Sequence, residues 1–156
     1  MKSIEFLTHE HIRVLAPKIR EADRREVFAS HHITDMEKCL VNSLEMSHEA
    51  WAWVIDGVPV AAFGVTAGCY LTRTGTPWLL ASDEIYDHIY DFLKTSKIIV
   101  EYWSNNWDVL SNYVDARNII SIKWLKFLGF MIHPARPYGL EYLPFHKFDI
   151  KWRKNV

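Results

Sequence analysis

Asn118-Ile119-Ile120-Ser121-Ile122-Lys123-Trp124-Leu125-Lys126-Phe127-Leu128-Gly129-Phe130 is the stretch that decides the fold. Asparagine is a strong N-cap, because its side-chain oxygen accepts a bond from an otherwise free amide of the first helical turn. Glycine after such a run takes the left-handed conformation that ends a helix. The stretch therefore predicts a short helix from Ile119 to Leu128, stopped by Gly129. Strands are expected on both sides of it. Leu110 to Asp115 comes before, and Phe130 to His133 and Phe145 to Trp152 come after, separated by a loop with Pro134, Pro137 and Gly139.

Farther upstream the spacing predicts a long helix, capped by Ser82 or Asp83 and running through Trp103, with Ile85, Ile89, Phe92, Leu93 and Ile99 facing inward. Three strands precede it: Ala50 to Ile55, Val58 to Val65 and Pro77 to Ala81. The first two are joined by Asp56-Gly57, the strongest hairpin signal in the chain. The N-terminal part reads as a strand at Ile4 to Leu7 and a helix capped by Thr8 and interrupted at Pro17. A second helix is expected at about 23–30, and a third from Met36 to Leu44, capped by Thr34 or Asp35. The result is one α/β domain of mixed α+β character over residues 1–156. The strands at 77–81 and 110–115 are expected to be parallel neighbours, joined by the long helix.

Composition narrows the function classes. The chain is 49% hydrophobic and 24% charged, a globular balance. A net charge of −1 sets up no strong field for nucleic acid or acidic lipid, so neither is expected as a partner. The basic clusters Arg24-Arg25, Lys123/Lys126 and Lys151-Trp152-Arg153-Lys154 read as solvated faces and a tail. Cys39 and Cys69 lack CxxC spacing, which points to a reducing compartment. No His, Asp and Glu set has a metal-ligand spacing, so no metal is expected. Met1-Lys2-Ser3-Ile4-Glu5 has no apolar core, so no signal peptide is expected. Seven tryptophans are more than one core usually needs. An aromatic contact surface is therefore expected, for a second copy or another protein, with Trp152 as its anchor and Trp51 and Trp53 sharing one strand face.

Strand, two or three helices, three antiparallel strands, helix, strand, helix, two strands: this order resembles the GNAT N-acetyltransferase fold, and the Asn118…Leu128-Gly129-Phe130 stretch resembles its signature. A closer resemblance, to the GNAT-like internal virion proteins of short-tailed phages, rests on several segments. They are Ala22-Asp23-Arg24-Arg25-Glu26-Val27, Asp56-Gly57, Ala62-Phe63-Gly64, Pro77-Trp78-Leu79-Leu80-Ala81-Ser82-Asp83, Asn112-Tyr113-Val114-Asp115-Ala116-Arg117-Asn118, Ser121-Ile122-Lys123-Trp124-Leu125 and Pro144-Phe145. That resemblance implies a small virion-associated protein, found in the virion or the host cytoplasm, with other virion proteins or its own copies as partners.

The GNAT resemblance also implies where acetyl-CoA lies if it binds. Trp78, Leu79, Leu80, Ala81 and Ser82 would border the pantetheine arm, and Asn118 with the small Ser121 would lie beside it. The pyrophosphate would sit at the start of the following helix, where free amides and the helix dipole favour an anion. The family's glycine-rich loop at that point has no counterpart. No glycine occurs between Gly75 and Gly129, and Asp83 and Glu84 stand where phosphate would. The tyrosine that protonates the leaving thiolate in many such enzymes falls at Leu125. The expected function is therefore a virion-associated protein with weak or lost acetyl transfer. An active N-acetyltransferase is the alternative, and a host-directed inhibitor is third. Two residues are candidates for catalysis. Glu26 reads first as a local ion pair with Arg24 or a neighbour and second as a general base, and Tyr113 reads first as a buried structural residue and second as an acid. Asp115 and Asn118 read as turn chemistry, and His31-His32 as a pair without a role.

Overall fold

The computed structural model describes residues 1–152; Arg153 and Lys154 of the expected basic tail lie outside them. The strands are β1 (Lys2–Phe6), β2 (Ser47–Ile55), β3 (Val58–Cys69), β4 (Thr74–Ala81), β5 (Val109–Asp115), β6 (Met131–Ile132), β7 (Arg136–Tyr138) and β8 (Leu143–Lys151). The helices are α1 (His9–Leu15), α2 (Glu21–His31), α3 (Met36–Met46), α4 (Ile89–Trp103) and α5 (Ile119–Phe127). All eight strands form one sheet in the order β1-β2-β3-β4-β5-β8-β6, with β7 also paired to β8. Every pairing is antiparallel except β4 with β5, which is parallel as expected.

Helices cover both faces of the sheet, and the period-two alternation of the strands sorts side chains between them. Trp53, Ala61, Phe63 and Ala81 point to the face packed by α4 and α5, with Phe92, Trp103 and Leu125. Ala52, Val54, Ala62 and Leu80 point to the opposite face, with Ile12 and Leu15 of α1 and Leu40 of α3. Strands buried on both sides read as nearly continuous apolar runs, which is why β3 contains Val60-Ala61-Ala62-Phe63.

α5 ends as its sequence requires. Asn118 Oδ1 accepts from the Ser121 amide at 3.3 Å. Gly129 has φ +96°, and the Phe130 and Gly129 amides donate back to the carbonyls of Leu125 and Lys126 at 3.1 and 3.0 Å. This pair of reversed bonds satisfies carbonyls that the helix end would otherwise leave open.

The long helix begins differently from expectation. Residues Asp83–His88 form a 3-10 turn, and the α-helix starts only at Ile89. Ser82 does not cap it. Its hydroxyl donates to the Val60 carbonyl at 3.2 Å, tying the strand end to β3. As a result Ile89, expected inside, is on the surface.

The tryptophan expectation also changes. Trp53, Trp103 and Trp107 are buried, and Trp51, Trp78, Trp124 and Trp152 pack partly buried against the two cores. Trp152, the expected anchor, is half-buried against the core under α4 and α5. Trp51 stacks on Phe6 with ring centroids 4.5 Å apart, and Trp53 meets Phe92 at 5.8 Å. The exposed aromatics are Tyr and Phe residues.

Candidate functional site

β4 and β5 pair only at Thr74–Val109 and Gly75–Leu110, then diverge. Gly75 lies at the base of this fork. A Cβ there would come within 2.6 Å of Val65 Cγ1 and 3.0 Å of both Leu110 Cδ2 and Trp107 Cδ2, so only glycine lets the strands meet. Two residues on, Pro77 has no N–H to continue the ladder. The Asn112 side chain spans the gap instead, donating from Nδ2 to the Pro77 carbonyl at 2.8 Å. Beyond it the fork opens into a cleft of about 510 Å³, walled by β4, β5 and α2.

α2 supplies the carboxylates of this cleft, Asp23 and Glu26. Glu26 Oε1 accepts from the Asp115 amide at the tip of β5 at 2.7 Å. The expected ion pair with Arg24 does not form, because the Arg24 guanidinium donates to the carbonyls of Ile19 and Ala16, each at 2.9 Å. Burial raises the Glu26 carboxyl to about 8. The Asp115 amide opposes the shift, and the charges of Asp23 and Asp115 add to it.

The sign of the pH effect follows from that shift. Unfolded, the carboxyl titrates near 4.5, and folded it titrates near 8. Between these values the folded chain holds a proton that the unfolded chain has lost. Its contribution to stability is therefore complete below 4.5 and declines as pH rises toward 8. Glu26→Gln, which keeps an acceptor for Asp115, is expected to flatten this decline. Relative to the variant, the wild type should lose about 2 kcal/mol or more between pH 5 and 8. Urea unfolding across that range measures it, and parallel curves for the two proteins would mean that the carboxyl is solvated.

One turn earlier, Asp23 and Arg20 form a buried two-point ion pair, with Nε to Oδ2 at 2.9 Å and Nη2 to Oδ1 at 2.7 Å. Arg20 Nη1 also donates to the Tyr86 hydroxyl at 3.0 Å. This pair clasps the end of β4. The Ala81 amide donates to Asp23 Oδ2 at 3.1 Å, and the Ala81 carbonyl accepts from the Arg20 amide at 2.8 Å. The sequence reading missed Arg20, Asp23 and Asn112. The only local trace was the i,i+3 spacing of Arg20 and Asp23, which marks an ion pair without showing that it grips a strand.

Tyr113 is 37% exposed at the cleft and stacked on Tyr138, with centroids 3.9 Å apart and planes at 11°. It is therefore not the buried residue expected. Burial, and then Tyr113 itself, push the Tyr138 hydroxyl upward. Asp115 is buried and held by Arg117 through Nε at 3.0 Å and Nη2 at 2.6 Å. Burial raises its pKa, but the Arg117 bonds outweigh this and leave it lowered. The turn role expected of Asp115 and Asn118 matches these contacts. His32 bonds Glu141 across the molecule at 2.6 Å, a contact that the sequence did not suggest. Among the described residues, no group of three or more His, Cys, Asp or Glu is placed to hold a metal, and no helix is long and apolar enough to cross a membrane.

No protein-family model matches the chain, and no curated protein matches its sequence. Solved structures do match its shape over nearly the full length. Ard1 from Thermoplasma volcanium superposes with TM-score 0.73 at 13% identity, over 98% of this chain and 99% of that one. The ribosomal-protein-S18-alanine N-acetyltransferase of Escherichia coli gives 0.69 at 14%, over 100% and 97%. A spermidine N-acetyltransferase SpeG mutant from Vibrio cholerae gives 0.70 at 9%, over 96% and 93%. The protein thus has the GNAT acetyltransferase fold.

The residues present do not fit acetyl-CoA at three points. The chain after β4 forms a 3-10 turn, so no α-helical N-terminus meets the phosphate position, and Asp83 is exposed there beside Glu84, which pairs with Lys18 at 3.5 Å. The main-chain groups of Ala81, where the pantetheine arm would lie, are already bonded to Arg20 and Asp23. Trp124 of α5 meets Phe92 of α4 with centroids 5.4 Å apart, and only about 90 Å³ remains between those helices. Leu125, at the position of the family's acid, is buried in the core.

Proposed function

We propose that this chain is a binding protein on the acetyltransferase scaffold, in which acetyl transfer is weak or lost, and that it serves as a virion-associated protein of a short-tailed phage. The observation that carries the loss of transfer is the Arg20–Asp23 clasp on Ala81. It occupies the Ala81 end of the strand edge that a cofactor arm would use, next to a 3-10 turn whose carboxylates, Asp83 and Glu84, repel phosphate. The virion role rests on the segment resemblance over most of the chain. Its partners are then other virion proteins or further copies, and its setting is the particle or the host cytoplasm.

A second reading, an active acetyl-CoA-dependent N-acetyltransferase, is favoured by the N-acetyltransferases among the solved structures of the same fold and by one feature of the cleft. The Glu26 carboxyl is held near 8 inside the cleft, a suitable poise for taking a proton from an amine. The two readings separate in a thiol-release assay with acetyl-CoA and a panel of peptide and polyamine acceptors. The proposal expects wild type and Glu26→Gln to release thiol alike, at the uncatalysed rate. Amine-dependent release that rises with pH toward 8 and is lost in Glu26→Gln would establish the second reading.

A further inference from the structure

Beyond the Asn112 bridge, side chains and backbone amides bond most main-chain groups along the fork, and three groups are left open. In an antiparallel pair, the N–H and C=O of every second residue point to the same side. On β4 the fork-facing phase is fixed by Pro77, whose carbonyl accepts from Asn112, and by Ala81, which Arg20 and Asp23 hold. Leu79, opposite Phe63 of β3, lies between them in the same phase. Among the described residues, no group bonds its N–H or C=O on that side. Across the fork, the Tyr113 amide donates to its neighbour's Asn112 Oδ1 at 2.8 Å, and the Asp115 amide donates to Glu26. The Tyr113 carbonyl therefore faces the fork as well, and it too is open.

We propose that the fork binds an extended peptide segment whose main chain bonds the N–H and C=O of Leu79 on one side and the C=O of Tyr113 on the other. This deepens the binding-protein reading and rests on it, since a cofactor arm along β4 would take the same groups. An extended polypeptide is the occupant that fits. It presents a donor and an acceptor together at every second residue, which a ligand with one polar group cannot do. The cleft volume of about 510 Å³ lies within the range of built ligand sites. Its walls offer apolar contacts from Val27, Met46, Phe145 and Phe148 for alternate side chains. The Asn112 bridge at one end and the Arg20–Asp23 clasp at the other limit the bound stretch to about three to five residues.

Leu79→Pro provides the test. It removes one N–H that the sheet does not use, and Pro77 already stands in the same phase two residues away. The probe is a pool of N-acetylated, C-amidated pentapeptides lacking lysine, so no member carries a primary amine able to accept an acetyl group. The pool is passed over immobilised wild type, Leu79→Pro and Leu79→Ala, and retained members are identified by mass spectrometry. The expected result is a subset retained at least ten-fold better by wild type and Leu79→Ala than by Leu79→Pro. No retention, or equal retention on all three, overturns the proposal. So does a Leu79→Pro variant that fails to fold while Leu79→Ala folds, because its N–H would then belong to the sheet. Adding acetyl-CoA separates the two levels. Peptides that are retained but displaced by micromolar acetyl-CoA leave the peptide site standing and remove the claim that the clasp excludes the cofactor. If neither ligand binds, only the peptide site fails.

Discussion

Asp23→Ala is expected to destabilise the protein by about 3–5 kcal/mol, a large share of the stability of a chain this size. The mutation leaves the Arg20 guanidinium buried, 5% exposed, with only the Tyr86 hydroxyl and no counter-charge. It also takes the acceptor from the Ala81 amide. Both losses fall at one point, where α2 grips the end of β4. Asp23→Asn keeps an acceptor for Ala81 and should cost less than Asp23→Ala, and the difference between the two isolates the role of the carboxylate charge. Urea or guanidinium unfolding gives the three stabilities. A loss below about 1 kcal/mol for Asp23→Ala would mean that the pair does not anchor α2 to the sheet.

The second large effect is expected at Trp124. Its ring fills the space between α5 and α4 and packs on Phe92. Trp124→Ala should cost about 3 kcal/mol, slightly less than a fully buried tryptophan because the ring is partly exposed. The void it leaves adjoins the apolar space of about 90 Å³ already present. This variant also ranks the barriers to the cofactor. It removes the aromatic filling and leaves the Ala81 clasp and the carboxylates of Asp83 and Glu84 in place, so acetyl-CoA is still expected not to bind. A gain of saturable binding in Trp124→Ala alone would show that the ring, and not the strand end, is the barrier.

The sequence made the fold legible where local chemistry sets the structure. Asn118 and Gly129 mark the two ends of α5, Asp56-Gly57 turns β2 into β3, and Pro17 breaks the first helix, with α1 ending at Leu15. The lack of glycine and the acidic start after β4 were also visible in the chain. The reading failed where a residue's partner is remote. Glu26 and Asp115 are 89 positions apart, and Asp23 and Ala81 are 58 apart, so neither bond leaves a trace in spacing. For Glu26 the nearer Arg24 looked like the partner, but Arg24 turns to the carbonyls of Ala16 and Ile19. The start of α4 was misplaced because Ser82 and Asp83 have capping side chains, while the Ser82 hydroxyl is drawn to β3. Composition also does not record that a sheet with helices on both faces has two cores, against which all seven tryptophans pack at least in part.

Calorimetric titration of the unmodified protein with acetyl-CoA tests the central claim most directly. The account predicts no saturable heat up to roughly millimolar ligand, the range of weak, non-specific association. Binding at micromolar or tighter Kd, worth about 8 kcal/mol, would contradict it. In that case the cofactor arm finds a place on β4 despite the Arg20–Asp23 clasp, and the acetyltransferase reading takes precedence, to be decided by thiol release.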